Sequence, residues 1–281
     1  MPTPLSVVTN LGSSAVIENL SSALRRSGKS IQRLSSGKRL NSAADDVAGM
    51  AVVTNLRSDL RSYSQAKRNI NDAMSMYRTA EGGNEQITGV VIRMRELAVQ
   101  AASDGLTDKE RNYLQTEFNE LRFDIDRIAL TTEYNGQQLL DGTGGDGGGT
   151  FTFQVDVNEA GANVLQDTIA SHDALLLYSG SISKIQTLGG AQNAITEADG
   201  ALDELAERRT RLGSFINKLE TAAKHAVSVG ENLSLAKGQI ADADFAQESA
   251  EYAPAQVLKQ AGVAILAQTN QSASLTLRLL G

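Results

Sequence analysis

The 281-residue sequence has no cysteine, no tryptophan, three prolines and two histidines, and aromatic residues make up only 4% of it. Without cysteine there is no disulfide framework, no thiolate metal site and no cysteine nucleophile. His172 and His225 stand alone and far apart, with no H-E-x-x-H pattern to ligate a metal. The expectation is a protein that is not an enzyme and needs neither cofactor nor metal. Surplus positive charge is also missing. Lys and Arg number 26 against 33 Asp and Glu, a net charge of −7 with a pI near 5.0. Counterion release from phosphates needs clustered cations, so a nucleic-acid partner is not expected. No window approaches the ~20 consecutive apolar residues of a membrane span, so no membrane insertion is expected. The start Met1-Pro2-Thr3-Pro4, with its first basic residue at Arg25, lacks the charged head and apolar run of a secretory signal peptide.

What the chain does have is helical rhythm. Ile17, Leu20, Leu24, Ile31 and Leu34 follow a 3, 4, 7, 3 spacing, with Ser27 in the missing seam position, the pattern of a coiled-coil helix. The rhythm resumes after Ala44 through Ile70, Met74 and Tyr77. It continues as Ile87, Val91, Met94, Ala98 and Ala101 after a phase shift around Gly82-Gly83. This second helix is expected to stop at Gly105, because Thr107-x-x-Glu110 reads as a capping box opening a new one. The new helix carries Leu114, Phe118, Leu121, Ile125 and Ile128 and ends before the turn dipeptide Asn135-Gly136. The longest run extends from Ala191 through Ile195, Leu202, Leu205, Leu212, Ile216 and Leu219 to Leu233, interrupted at Arg209 and Gly230. At 1.5 Å per residue it spans roughly 60 Å and needs antiparallel neighbours to bury its seam.

The middle is different. Asp141 to Thr150 is dense in glycine, and Phe151, Phe153, Val155 and Val157 then alternate with polar residues, the period of a half-buried strand. Asn158 to Asn163 is the expected loop and Val164 to Ile169 the returning strand, while His172 to Leu188 carries no readable period. The glycine run contains a literal G-x-G-x-x-G, but a strand follows it where a dinucleotide site needs a helix. Its two aspartates lack the bidentate glutamate of an EF-hand, so a surface linker is the better reading. Glu204 and Glu207 beside Arg208, Arg209 and Arg211 fit a salt-bridged helix face better than an acid–base cluster. The two ends complement each other in charge. Residues 19–44 carry Arg25, Arg26, Lys29, Arg33, Lys38 and Arg39 and no acid, while residues 239–258 carry Asp242, Asp244, Glu248 and Glu251 and no base. The fold class expected is mainly α: long coiled-coil helices from both chain ends packed antiparallel, with a small β-hairpin region in the middle.

The stretch Gln32-Arg33-Leu34-Ser35-Ser36-Gly37-Lys38-Arg39-Leu40-Asn41-Ser42-Ala43-Ala44-Asp45-Asp46 resembles the N-terminal signature of bacterial flagellin. The resemblance continues through Gln65 to Asn69, Thr79 to Gly82, Arg93 to Ala102 and Glu133 to Gly136. It returns at Leu212-Gly213, Asn217 to Glu220, Ile240 to Ala246 and Gln260 to Gln268. It implies an inner helical pair from residues 1–44 and 238–281. An outer helical domain from 45–135 and 189–237 and a hairpin and loop region at 136–188 would follow, with no large variable domain. Pro254 stands where the family usually continues a helix, so the C-terminal helix is expected to kink or begin there.

The function implied is a structural subunit that polymerises into the flagellar filament for swimming motility. The alternative is a hook–filament junction protein of the same family. Leu20, Leu24, Ile31 and Leu34 with Leu258, Ile265, Leu275 and Leu279 are the candidates for inner-core packing. Arg93, Glu96, Leu97 and Gln100 fall at i, i+3, i+4 and i+7 on one helix. By resemblance they are a subunit-packing surface and a contact for the flagellin-sensing Toll-like receptor of animals. The partners implied are other copies of the chain, an export chaperone, and cap and hook-associated proteins. The place implied is the extracellular flagellum, reached through type III export without a cleaved signal peptide.

Overall fold

A computed structural model describes residues 11–157, 163–178 and 182–280. In chain order the elements are α1 (Leu11–Ser36), α2 (Val47–Ala101), α3 (Asp108–Thr131), β1 (Glu133–Tyr134), β2 (Gln137–Gln138), β3 (Thr150–Gln154), β4 (Val164–Thr168), α4 (Ala174–Leu177), α5 (Leu188–Ala241) and α6 (Phe245–Leu280). They divide into two compact units, one of residues 1–58 with 232–281 and one of residues 59–231. The chain's start at Met1 and most of the expected loop after Asn158 lie outside the described residues.

In the unit of residues 59–231, local chemistry sets where α3 begins and ends. The Thr107 hydroxyl accepts the Glu110 N–H while the Glu110 carboxylate accepts the Thr107 N–H at 2.7 Å, the reciprocal capping box the sequence suggests. Beyond α3, Asn135 at φ 53° and Gly136 at φ 78° make the two-residue turn that pairs β1 with β2. Both residues need the left-handed region there. The helix before α3 ends earlier than the glycine signal implies, at Ala101 and not at Gly105. The guanidinium of buried Arg111 explains this, since its Nε and Nη2 donate to the carbonyls of Ala101 and Ser103 at 3.0 Å each. The Ala101 carbonyl is a helix-end acceptor, where partners within the helix run out.

The core of this unit joins α2, α3, α5 and the β3–β4 hairpin. Along α2 the buried positions run Tyr77, Ala80, Gly83 and Asn84, then Ile87 and Val91. No phase shift occurs, because Gly83 and Asn84 themselves occupy the seam. Along α5 the buried stripe is Ala191, Ala194, Ala198, Ala201, Leu205, Leu212, Phe215 and Leu219, with Ile195, Leu202 and Ile216 at its edge. Tyr77, Phe153 and Phe215 meet with ring centroids 4.5 to 6.2 Å apart, and the Tyr77 hydroxyl donates to Asp167 at 3.2 Å, fastening the hairpin to both helices. The β3–β4 ladder pairs Thr150 with Thr168 through Gln154 with Val164. It stops short of Val157, with one further bond from the Val155 N–H to the Asn163 carbonyl.

The unreadable stretch after His172 is held by side chains from distant helices. Asp126 accepts the N–H of Ala174 at the start of α4, Gln115 accepts that of Ile185, and Glu197 accepts both the N–H and the hydroxyl of Ser183. In the unit of the two ends, α1 packs against α6, and Leu40, Val53 and Ala241 form a small core with Met50 and Ile240. The α6 helix begins at Phe245 and runs through Pro254 rather than starting there. Pro254 and Ala250 are both exposed.

Gly82 and Gly83 separate two opposed effects of one methyl group. A Cβ at Gly83 would stand 2.6 Å from Leu140 Cδ1 and 2.8 Å from Thr132 Oγ1, while one at Gly82 meets nothing within 4 Å. In urea unfolding, Gly82→Ala is expected to stabilise by about 0.5–1 kcal/mol through helix propensity. Gly83→Ala is expected to destabilise by about 1–3 kcal/mol through overpacking.

Candidate assembly surfaces

The paired ends meet through small side chains. Ala23, Ser27 and Ser30 of α1 and Ala255 of α6 are buried, and Gly262 lies so close to Leu20 that a Cβ there would be 3.1 Å from Leu20 Cδ1. Ser27 sits in the seam position that the apolar spacing leaves open. Among the described residues one ion pair crosses the contact: Arg33 Nη1 donates to Glu248 Oε1 at 2.7 Å, with both side chains largely shielded from solvent. The two helices therefore run antiparallel, Arg33 opposite Glu248 and Leu20 opposite Gly262. At the connectors, the Arg39 N–H donates to the Ala241 carbonyl at 2.7 Å and the Ala243 N–H to the Gly37 carbonyl at 3.0 Å. The Arg39 guanidinium adds two bonds to the Ile240 carbonyl. The charge complementarity of the ends is thus spent at one buried pair and one backbone clasp, while Arg25 and Arg26 stay exposed.

Leu20 packs against Gly262 in this contact, while several of the other large aliphatic side chains stay exposed. Leu20 and Leu34 are half-buried. Leu24 and Ile31 are 45% and 48% exposed, and Ile17 extends the same row seven residues earlier at 52%. On α6, Leu258 and Ile265 are about half exposed, as are Val257 and Val263 nearby. The side chains of Leu275 and Leu279 lie outside the described residues. Of the sequence candidates, Leu24, Ile31, Leu258 and Ile265 leave aliphatic surface exposed on helices whose mutual contact includes Ala, Ser and Gly.

In the other unit, Arg93 reaches Glu96 on its own helix at 3.0 Å and Glu117 on α3 at 2.8 Å. Both pairs are exposed, so each contributes about 0–1 kcal/mol. Glu96 and Gln100 are exposed, but Leu97 is buried in the core and adds nothing to the outer surface. Ile92, Val99 and Tyr113 stand exposed on the same two helices. Spacing alone misses them, because they lie off the seam that a periodicity search follows.

Chemistry-bearing groups are sparse. Among the described residues no three His, Cys, Asp or Glu side chains converge as a metal site, and no helix is long and apolar enough to cross a membrane. The glycine run leads into β3 and not into a helix. Arg208 pairs with Glu204 at 2.8 Å one turn away and with the Ser171 carbonyl, and Arg209 pairs with Glu81, as on a salt-bridged helix face. His225 is exposed and lines a cavity of about 550 Å³ with Asp156 and Lys218. His172 is buried, its Nδ1 2.8 Å from the Ala170 carbonyl.

Long helices, ends that pair with each other and outward aliphatic rows define a helical packing protein. The profile of the bacterial flagellin N-terminal helical region matches residues 7–144, and that of the C-terminal helical region matches residues 195–280. A flagellin of Halalkalibacterium halodurans is 34% identical over 96% of this chain and 98% of its own length. The flagellin of Bacillus subtilis is 33% identical over the same shares of both chains, and flagellin FlaB1 of Treponema pallidum is 35% identical over 90% and 92%. Among solved structures, a Bacillus cereus flagellin is 29% identical with a TM-score of 0.50, over 57% of this chain and 88% of its own. A structure described as a flagellar hook-associated protein of Vibrio parahaemolyticus shares the fold at 16% identity and a TM-score of 0.57, over 70% of this chain and all of its own. The chain belongs to the bacterial flagellin family.

Burial, reinforced by the nearby Arg208 charge, pushes the His172 imidazole down from 6.5 to about 4, against the Ala170 hydrogen bond and the Glu204 charge, which push it up. Between those two values the unfolded chain binds the extra proton and the folded chain does not. Stability is therefore present above pH 6.5 and falls as pH drops toward 4, on the order of 3 kcal/mol in all. Asp45 titrates in a separate window: Lys29 and the N–H groups of Ser42 and Asn41 hold its carboxyl down to about 2. Urea midpoints measured between pH 7 and pH 4 are expected to fall less steeply for His172→Asn than for the parent.

Proposed function

We propose that the chain is a structural subunit that polymerises into the filament of the bacterial flagellum, where neighbouring copies cover the aliphatic rows of α1 and α6. The observation that carries this reading is the half-exposed row Ile17, Leu24 and Ile31 on α1, with Leu258 and Ile265 similarly exposed on α6. At about 25 cal/mol per Å² of apolar surface, such rows are costly to leave in water. A surface that binds a different surface on the next copy gives open helical growth. Leu275 and Leu279 continue the same inner packing. On this reading residues 1–44 and 238–281 are the inner pair, 45–135 and 189–237 the outer helices, and 136–188 the hairpin region.

The face of Arg93, Glu96 and Gln100 serves mainly in packing between subunits and secondarily as a contact for the Toll-like receptor, with Leu97 supporting it from the core. Export through the flagellar type III apparatus, an export chaperone, a cap and hook-associated neighbours complete the reading. The identity to flagellins, about 34% over nearly the whole chain, favours the filament over the hook–filament junction, since the hook-associated likeness is 16%. No catalytic role is assigned.

Purified full-length chain added to flagellin filament seeds is expected to lengthen them under the electron microscope. Ile31→Asp is expected to slow lengthening by at least about tenfold, with the thermal unfolding of the 59–231 unit unchanged. Seeds that the parent chain binds but never extends would favour the junction protein instead.

A further inference from the structure

The glycine run ahead of β3 is fixed in place more closely than a linker needs. Gly142, Gly145 and Gly149 have φ between 70° and 78°, where an L side chain is strained. A Cβ at Gly145 would overlap the Thr150 carbonyl, one at Gly149 would overlap the Ile169 carbonyl, and one at Gly144 would stand 2.7 Å from Phe151 Cζ. What the run lies against is a strand edge. The Ile169 N–H donates to the Gly149 carbonyl at 2.9 Å and the Val155 N–H to the Asn163 carbonyl at 3.0 Å, so the odd-numbered residues along β3 face β4. Hydrogen-bonding direction alternates along a strand, and Thr150, Thr152 and Gln154 therefore turn their backbone groups to the outer edge. The chain itself covers both ends of that edge. At one end the Asp146 N–H donates to the Thr150 carbonyl at 3.0 Å and Gly145 bridges Thr150 in parallel. At the other, Asn69 Nδ2 of α2 donates to the Gln154 carbonyl at 3.3 Å. Thr152, between the two covers, is exposed.

The strand so covered reads Thr150-Phe151-Thr152-Phe153-Gln154-Val155, six residues rich in β-formers with no charge, proline or glycine. Such a segment pairs with copies of itself when its edge is open. The other strand of the hairpin manages its edge differently. Asp167 sits opposite buried Phe151 and accepts the Tyr77 hydroxyl, which places a carboxylate on the inner face of β4. An inward charge makes an edge strand a poor template for another chain. β3 carries no such charge. We propose that the glycine run, with Asn69, is an edge guard: an autoinhibitory contact that occupies the outer edge of β3 and keeps it from pairing with β3 of a second copy. The run can lie this close to the edge only where it has no side chains, which is the use of its glycines. The guard is independent of the filament-subunit reading, since it concerns an association that the chain avoids and not the one its helices make.

Full-length Gly145→Val tests the guard, because the branched side chain collides with the Thr150 carbonyl and lifts the run from the edge. Amide hydrogen exchange is expected to show the Asp146 N–H losing protection while those of Val155 and Ile169 keep theirs, an open edge on an intact hairpin. At neutral pH and without seeds, this variant is expected to form sedimentable, thioflavin-positive aggregates after a lag about tenfold or more shorter than the parent's. Val91→Ala, a core truncation on α2 outside the hairpin and the run, gives the lag that lost stability alone produces. Gly145→Val/Thr152→Lys is expected to return the lag to within about twofold of the parent's without restoring the urea midpoint, since a charge at the exposed centre of the edge repels a second copy. Gly145→Val chains that aggregate no sooner than Val91→Ala, or that Thr152→Lys fails to slow, would overturn the guard. Where exchange shows Val155 and Ile169 unprotected as well, the hairpin itself has come apart, and Asn69→Ala, which uncovers only the Gln154 carbonyl, decides. A lag shortened by about threefold then upholds the guard, and an unchanged lag overturns it.

Discussion

The pairing of α1 with α6 through alanine, serine and glycine is the constraint from which the rest of the molecule's behaviour follows. Small side chains let two helices approach closely, but they remove little apolar area from water, and hydrophobic stabilisation scales with that area. Among the described residues, the unit of the two ends accordingly has a core of Leu40, Val53 and Ala241 beyond the helix contact. The unit of residues 59–231 buries Tyr77, Phe118, Ile125, Met94 and Leu219. One unit holds itself together and the other is sparing of internal contact while rich in outward aliphatics. In the polymer we propose, that difference divides the labour: one unit arrives with its shape complete, and the other acquires its full burial from neighbours.

Stability in the self-sufficient unit also comes from polar side chains that fasten irregular backbone. Arg111 closes the end of α2, while Gln115, Asp126 and Glu197 each take a backbone N–H of the 171–185 segment. These bonds are made where backbone groups would otherwise be buried without partners, and there the penalty for an unmade bond exceeds the gain from a made one. Among its described residues this segment has only the short α4 helix, and it packs Ile185 and Tyr178 into the core.

The helices were largely legible because their signals are local. The capping box at Thr107 and the Asn135-Gly136 turn are contained within four residues, and the seam of α2 repeats often enough to survive two glycines and an asparagine. The Ala101 end of α2 was not legible, since the residue that sets it, Arg111, lies on the next helix. The fate of His172 to Leu188 depends on carboxylates and an amide from α3 and α5, and no period in the segment itself encodes that. Pro254 does not mark the start of α6, because the helix already begins at Phe245 and carries the proline within it. Of the candidate surfaces, Arg93, Glu96 and Gln100 stand outward, whereas Leu97 turns inward, because positions i and i+4 share a flank of the helix but not the same depth. Charge counting found the two complementary ends, though it could not say that Arg33 and Glu248 alone would meet in a sheltered site.

The clasp and the ion pair join residues 201 and 215 positions apart in the chain. Such distant contacts have a very high contact order and form late. During synthesis at about 5–20 residues per second, α1 waits roughly 10–40 seconds for its partner to be made. Through that interval the aliphatic row of α1 has no α6 beside it. The order of manufacture therefore leaves the first end of the chain waiting for the last before the clasp and the ion pair can close.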